Sequence, residues 1–121
     1  MQEDVANWVK LAEYDLGTAE DMIRSVRYLY VLFGCQQAIE KMLKAFVVQE
    51  TKEFPPKTHD LIKLVEITGL TVDEKKKEFM KKLSYYYIET RYPAELEDII
   101  VEIDEALAKE YLETTKEVFK W

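Results

Sequence analysis

A single histidine and a single cysteine set the first limits on what this chain can do. One cysteine excludes an intramolecular disulfide and any zinc site built on several thiolates. One histidine excludes a di-iron bundle centre, which needs Glu-x-x-His from two helices, and a histidine-rich zinc site as well. No motif asks for a metal or a cofactor, and none is expected. Glycine and proline number only three each, as suits helices joined by short connections. No apolar run approaches the length of a membrane span. The N-terminus, MQEDVANWV, is acidic and has no apolar stretch of the kind a signal peptide needs, so a soluble cytoplasmic protein is expected. Positive charge is in deficit: the net charge of −7 argues against broad electrostatic capture of nucleic acid but leaves room for a local basic site. What is present is apolar material, 48% of 121 residues, enough for one domain spanning residues 1–121 with a real core.

The spacing of that apolar material is helical. The central stretch is Tyr28–Glu50, in which Gly34 is the one glycine and proline is absent. Wound at about 100° per residue, it places Val31, Leu32, Cys35, Ala38, Ile39, Met42, Leu43, Ala45 and Phe46 on one half of the circumference. Gln36, Gln37, Glu40, Lys41 and Lys44 gather on the other half. So wide an apolar arc beside five polar groups predicts a central helix whose polar strip meets a partner, a second subunit or a site. Before it, Val5, Trp8, Ala12, Leu16, Ala19 and Ile23 mark a helix over Glu3–Arg24, antiparallel to the central one across the short turn at Ser25–Arg27. Pro55–Pro56 ends the central helix and stiffens the crossing that follows. A short helix runs to Thr68, with Thr58 as its cap, Asp60 complementing its dipole and Gly69 as its stop. Thr71 and Glu74 have capping-box spacing for a fourth helix with Phe79, Leu83, Tyr86 and Thr90 inward. Beyond Pro93, a last helix spans Glu95–Lys120 with Ile99, Ile100, Ile103, Leu107, Tyr111, Val118 and Phe119 at core positions. The fold class is all-α: an up-and-down bundle of four helices with one short addition.

Few residues in this pattern can carry chemistry. Cys35 lies in the apolar arc and reads as a small hydrophobe. His59 follows the proline pair at a helix start, where packing or capping competes with direct chemistry. Asp15 sits at the edge of the first helix's stripe, as a rim carboxylate or an acid facing a site. The densest cluster is Ser84–Pro93, SYYYIETRYP. Tyr87 and Arg91 are four residues apart and can meet on one helical face, with Tyr85, Tyr86 and Tyr92 around them. Arginine offers a planar fork for phosphate, and tyrosine a face for a base. Half-buried packing tyrosines, or a protein interface, would use the same residues.

Four segments, taken together and in order, resemble the HEPN family (higher eukaryotes and prokaryotes nucleotide-binding domain). They are Trp8, Ala12, Asp15, Leu16 and Ala19; GCQQAIEKMLKAF from Gly34 to Phe46; KTHDL from Lys57 to Leu61; and YIETRYP from Tyr87 to Pro93. The resemblance covers nearly the whole chain and implies an up-and-down four-helix bundle doing nucleotide or nucleic-acid work. Many members look like metal-independent ribonucleases acting as dimers, with sites at the dimer interface. Many are toxins encoded beside a minimal nucleotidyltransferase that serves as antitoxin. The active class carries an arginine and a downstream histidine separated by four to six intervening residues. Arg91 matches the arginine, but Leu96, Glu97 and Asp98 stand where the histidine would be. His59 precedes Arg91 by more than thirty residues, so only folding could bring the two together.

The expected function is therefore a nucleotide- or RNA-binding protein of HEPN type, homodimeric and partnered with a nucleotidyltransferase-like protein. Arg91 and Lys41 would contact phosphate, Tyr87 and Tyr92 would position or stack a base, and Gln37 and Glu40 would add hydrogen bonds. Two alternatives stand beside it. One is a metal-independent ribonuclease toxin with a non-standard site built on Arg91 with Glu40 or His59. The other is a protein-interaction module without catalysis, which the acidic run Glu95–Glu105 would favour.

Overall fold

The computed structural model describes residues 2–89 and 99–120. Arg91, Tyr92 and Pro93, together with Thr90 and the expected start of the last helix at Glu95, lie outside the described residues, as do Leu96, Glu97 and Asp98. Every regular element among the described residues is helical. They are α1 (Gln2–Arg24), α2 (Tyr28–Thr51), α3 (Leu61–Thr68), α4 (Glu74–Glu89) and α5 (Glu105–Val118), with a further helical stretch at 99–102. The molecule is an up-and-down bundle of the four longer helices with the short α3 added.

Helix α2 is the centre, because its apolar residues repeat around more than half its circumference. Val31, Leu32, Cys35, Ile39, Leu43 and Val47 are all but inaccessible and join residues of α1, α3, α4 and α5 in one core. Helices α1 and α2 lie antiparallel: Ala19 meets Gly34, Asp15 meets Lys41, and Trp8 meets Lys44, so numbers rise along one as they fall along the other. Gly34 makes the close approach. A Cβ built there would stand 2.9 Å from the Cβ of Ala19, well inside ordinary contact.

Several boundaries differ from the sequence reading, each for a local reason. The cap of α3 is Asp60 rather than Thr58: its carboxylate accepts from the amides of Ile62 and Lys63 at 3.1 and 3.3 Å. Thr58 instead accepts from the amide of Asp60 at 3.2 Å, tightening the turn before the helix. Gly69 does end α3, at a left-handed φ of 73°. Helix α4 starts at Glu74, with Asp73 accepting from the amide of Lys76 at 2.8 Å, so Thr71 is not its cap. Inside α4, Tyr87 is buried with Phe79, Met80 and Leu83, whereas Tyr86 is only partly covered. The last helix is not continuous. Ile103 and Asp104 interrupt it, and Asp104 caps α5 by accepting from the amide of Leu107 at 2.9 Å. Ile100, expected in the core, is 43% exposed, while Ala108, Leu112 and Thr115 are buried.

Candidate functional site

The polar strip of α2 does not face solvent as one surface. Gln36, Glu40 and Lys44 lie four residues apart on a single row, and all three are buried. Gln37 is exposed, and Lys41 is turned toward α1, where its ammonium lies 2.5 Å from Asp15. The segment between α2 and α3 lies against Gln36 and Glu40, and Trp8 of α1 lies against Lys44. Pro55 and Pro56 fix φ over part of that segment, and the chain returns across α2 to bring His59 opposite the middle of the row.

His59 is held there at two points. The Gln36 amide donates from Nε2 to the His59 carbonyl at 2.8 Å. One turn further along α2, Glu40 Oε1 lies 2.8 Å from His59 Nδ1. A carboxylate accepts, so Nδ1 is the ring nitrogen that donates to Glu40, and Nε2 lies on the opposite edge of the ring. The Glu40 side chain is 9% exposed and that of His59 is 55% exposed, so the dyad runs from the interior to the surface. The other oxygen of Glu40 accepts from Lys44 Nζ at 3.1 Å. Lys44 in turn stands over the ring of Trp8, 5.7 Å from its centroid. A buried carboxylate needs such compensation, and here both oxygens receive it.

Aromatic rings close the other side. The Tyr87 ring lies 5.6 Å from the imidazole of His59 and 5.4 Å from Phe33, edge-to-face with the latter. Phe33 meets Tyr30 in the same manner at 5.6 Å. Of the sequence-derived candidates, Glu40, His59 and Tyr87 are therefore brought together. Lys41 and Gln37 are not part of that cluster, and Arg91 and Tyr92 lie outside the described residues. Gln36 and Lys44 belong to the polar strip of the sequence but are not among its site candidates. Their spacing of four from Glu40 was the available signal.

The remaining reactive groups point elsewhere. Burial pushes the Cys35 thiol up to about 12, against a smaller lowering by the Thr115 hydroxyl, so it is no nucleophile. Tyr86 faces the other side of α4, 3.3 Å from Glu102; burial, and then that carboxylate, raise its hydroxyl above the ordinary range. Among the described residues, no group of three or more His, Cys, Asp or Glu could hold a metal ion.

The HEPN domain model matches residues 5–121. This chain belongs to the HEPN family. Membership supports a nucleotide- or RNA-related role in general. A solved structure, TT1696 from Thermus thermophilus, is similar over 94% of this chain and 91% of that one, with a TM-score of 0.76 and 25% identity. Among curated proteins no relative matches. No helix of the described residues is long and apolar enough to cross a membrane.

Proposed function

We infer that this HEPN protein binds nucleotide or RNA as a homodimer of single-domain chains, residues 1–121. It serves as one component of a two-gene module with a minimal nucleotidyltransferase, in the manner of a toxin–antitoxin pair. The observation that carries the reading is the seating of His59 on buried Glu40 against Tyr87, four residues before Arg91 in the chain. Three of the four segments that mark the family meet there. Arg91 supplies the phosphate contact and Tyr92 positions a base, while buried Tyr87 backs the ring of His59. Glu40 acts through His59, while Gln37 and Lys41 contribute from the margin. Lys41 contributes less than Arg91, because Asp15 already neutralises it.

Binding is tested with a fluorescent single-stranded RNA at low salt. Arg91→Ala should weaken affinity about tenfold and flatten the dependence of log K on log salt by about 0.7, the share of one phosphate contact on a single strand. Unchanged affinity and slope would remove Arg91 from the site. The partner is tested by co-expression with the product of the adjacent gene, and failure to co-purify would remove the two-gene reading.

One observation favours a second reading, a metal-independent ribonuclease. A carboxylate-oriented imidazole with an exposed ring is an arrangement for general base catalysis, and it offers a substitute for the missing downstream histidine. In that reaction Nε2 takes the proton of a 2′-hydroxyl, the 2′-oxygen attacks phosphorus, and the bond to the 5′-oxygen breaks as that oxygen takes a proton from solvent water. Arg91 offsets charge on the phosphorane. Incubation with mixed RNA in EDTA should give cleavage that falls about 100-fold or more in His59→Ala. Intact RNA after long incubation with the wild-type dimer would dismiss the ribonuclease and leave binding.

A further inference from the structure

Gln36 is an uneconomical residue for its position. It is fully buried in the middle of α2, a helix whose apolar Val31, Leu32, Cys35 and Ile39 are buried as well. Only half of its amide is used by the protein: Nε2 donates to the carbonyl of His59, while Oε1 is buried without a protein partner. Reversing the amide would point oxygen at oxygen, so the orientation is fixed by that one bond. A buried amide oxygen is costly if idle, and trapping a water on it costs ordering entropy. A Leu or Met of similar length would fill the same space without either penalty. What the glutamine adds over such a residue is the bond to the His59 carbonyl.

The bond's acceptor supplies the reason. Glu40 holds the imidazole of His59, one turn from Gln36 on the same helix, and Gln36 holds the main chain of the same residue. A ring fixed only at Nδ1 can still swing about that hydrogen bond as the segment between α2 and α3 moves. Fixing the carbonyl as well determines where the ring sits and which nitrogen meets Glu40.

We propose that Gln36 is a positioning residue that sets the orientation and tautomer of His59. The proposal rests on His59 being the working group of the site, and it deepens that reading. The chain has one histidine, so its imidazole nitrogens can be followed by 15N NMR without assignment mutants. In the wild-type protein the neutral ring should give widely separated Nδ1 and Nε2 resonances, with the hydrogen on Nδ1. In Gln36→Met, and in Gln36→Leu as a second shape, the two resonances should move toward the tautomer average. The thermal midpoint should change little, because losing the bond to the His59 carbonyl is offset by removing the unpartnered amide oxygen. RNA affinity, or cleavage where it occurs, should fall with the spectral change. A wild-type imidazole spectrum in both variants would overturn the proposal. So would a fall in thermal midpoint in both with the imidazole resonances unmoved, which would make Gln36 a structural tie. A collapsed tautomer signal with no RNA phenotype in any protein, wild type included, would uphold the positioning role and reject the functional reading instead.

Discussion

Lys44 shows how much of the site rests on single side chains. Its side chain is 10% exposed, it neutralises Glu40, and its ammonium rests over Trp8. Ion pairs this well covered differ from surface pairs: removing one partner strands a charge where water cannot reach it. Lys44→Met should therefore lose about 2–3 kcal/mol in chemical denaturation, near the low end for broken buried pairs because His59 still engages Glu40. Lys44→Met combined with Glu40→Gln should recover most of the loss. A loss below about 0.5 kcal/mol, typical of exposed pairs, would contradict this picture of the row. At this scale the sequence was legible in kind but not in detail. It located Glu40, His59, Tyr87 and a polar strip on α2, and it identified Cys35 as an ordinary core residue. It could not say which polar residues turn inward. Gln36 and Gln37 are neighbours of the same type, separated by about 100° of helix. Tertiary packing decides that the first is buried, with its amide on the segment carrying His59, and the second exposed.

Among the elements, the pairing of α1 with α2 governs where the site forms, because it sets the positions of Trp8 and Asp15 relative to α2. Glycine inside a helix ordinarily costs about 1 kcal/mol relative to alanine. At Gly34 that cost is outweighed by the approach of Ala19, whose Cβ would lie 2.9 Å from a new Cβ and whose backbone gives little. Gly34→Ala should thus destabilise the protein by about 1–2 kcal/mol net, measured by urea denaturation. A gain near 1 kcal/mol would mean that helix propensity alone operates there and that the contact is loose. Helices α1 to α3 were readable because Pro55, Pro56 and Gly69 punctuate the chain and apolar residues keep a helical period. The break before α5 was not, since VEIDEALAKE contains neither glycine nor proline and consists largely of helix formers. The break is made by Asp104, whose carboxylate serves the amide of Leu107 better from a cap than from a helix interior.

Across the whole molecule, residues far apart in sequence converge: Trp8 from α1, the Gln36–Glu40–Lys44 row from α2, His59 from the covering segment and Tyr87 from α4. Sequence alone could name the segments but not their distances, because no spacing rule connects His59 to a helix beginning fifteen residues later. The net charge of −7 gives this convergence a consequence. A chain that repels polyanions overall must engage RNA through a confined patch, so occupancy should be visible at that patch and nowhere else. The most direct measurement is a titration of the 15N-labelled protein with a short single-stranded RNA, following the imidazole of its sole histidine. The account predicts a saturable shift of the His59 nitrogens that parallels binding and is lost in Arg91→Ala. Binding that saturates with the His59 signal unmoved would place the RNA elsewhere and contradict the site.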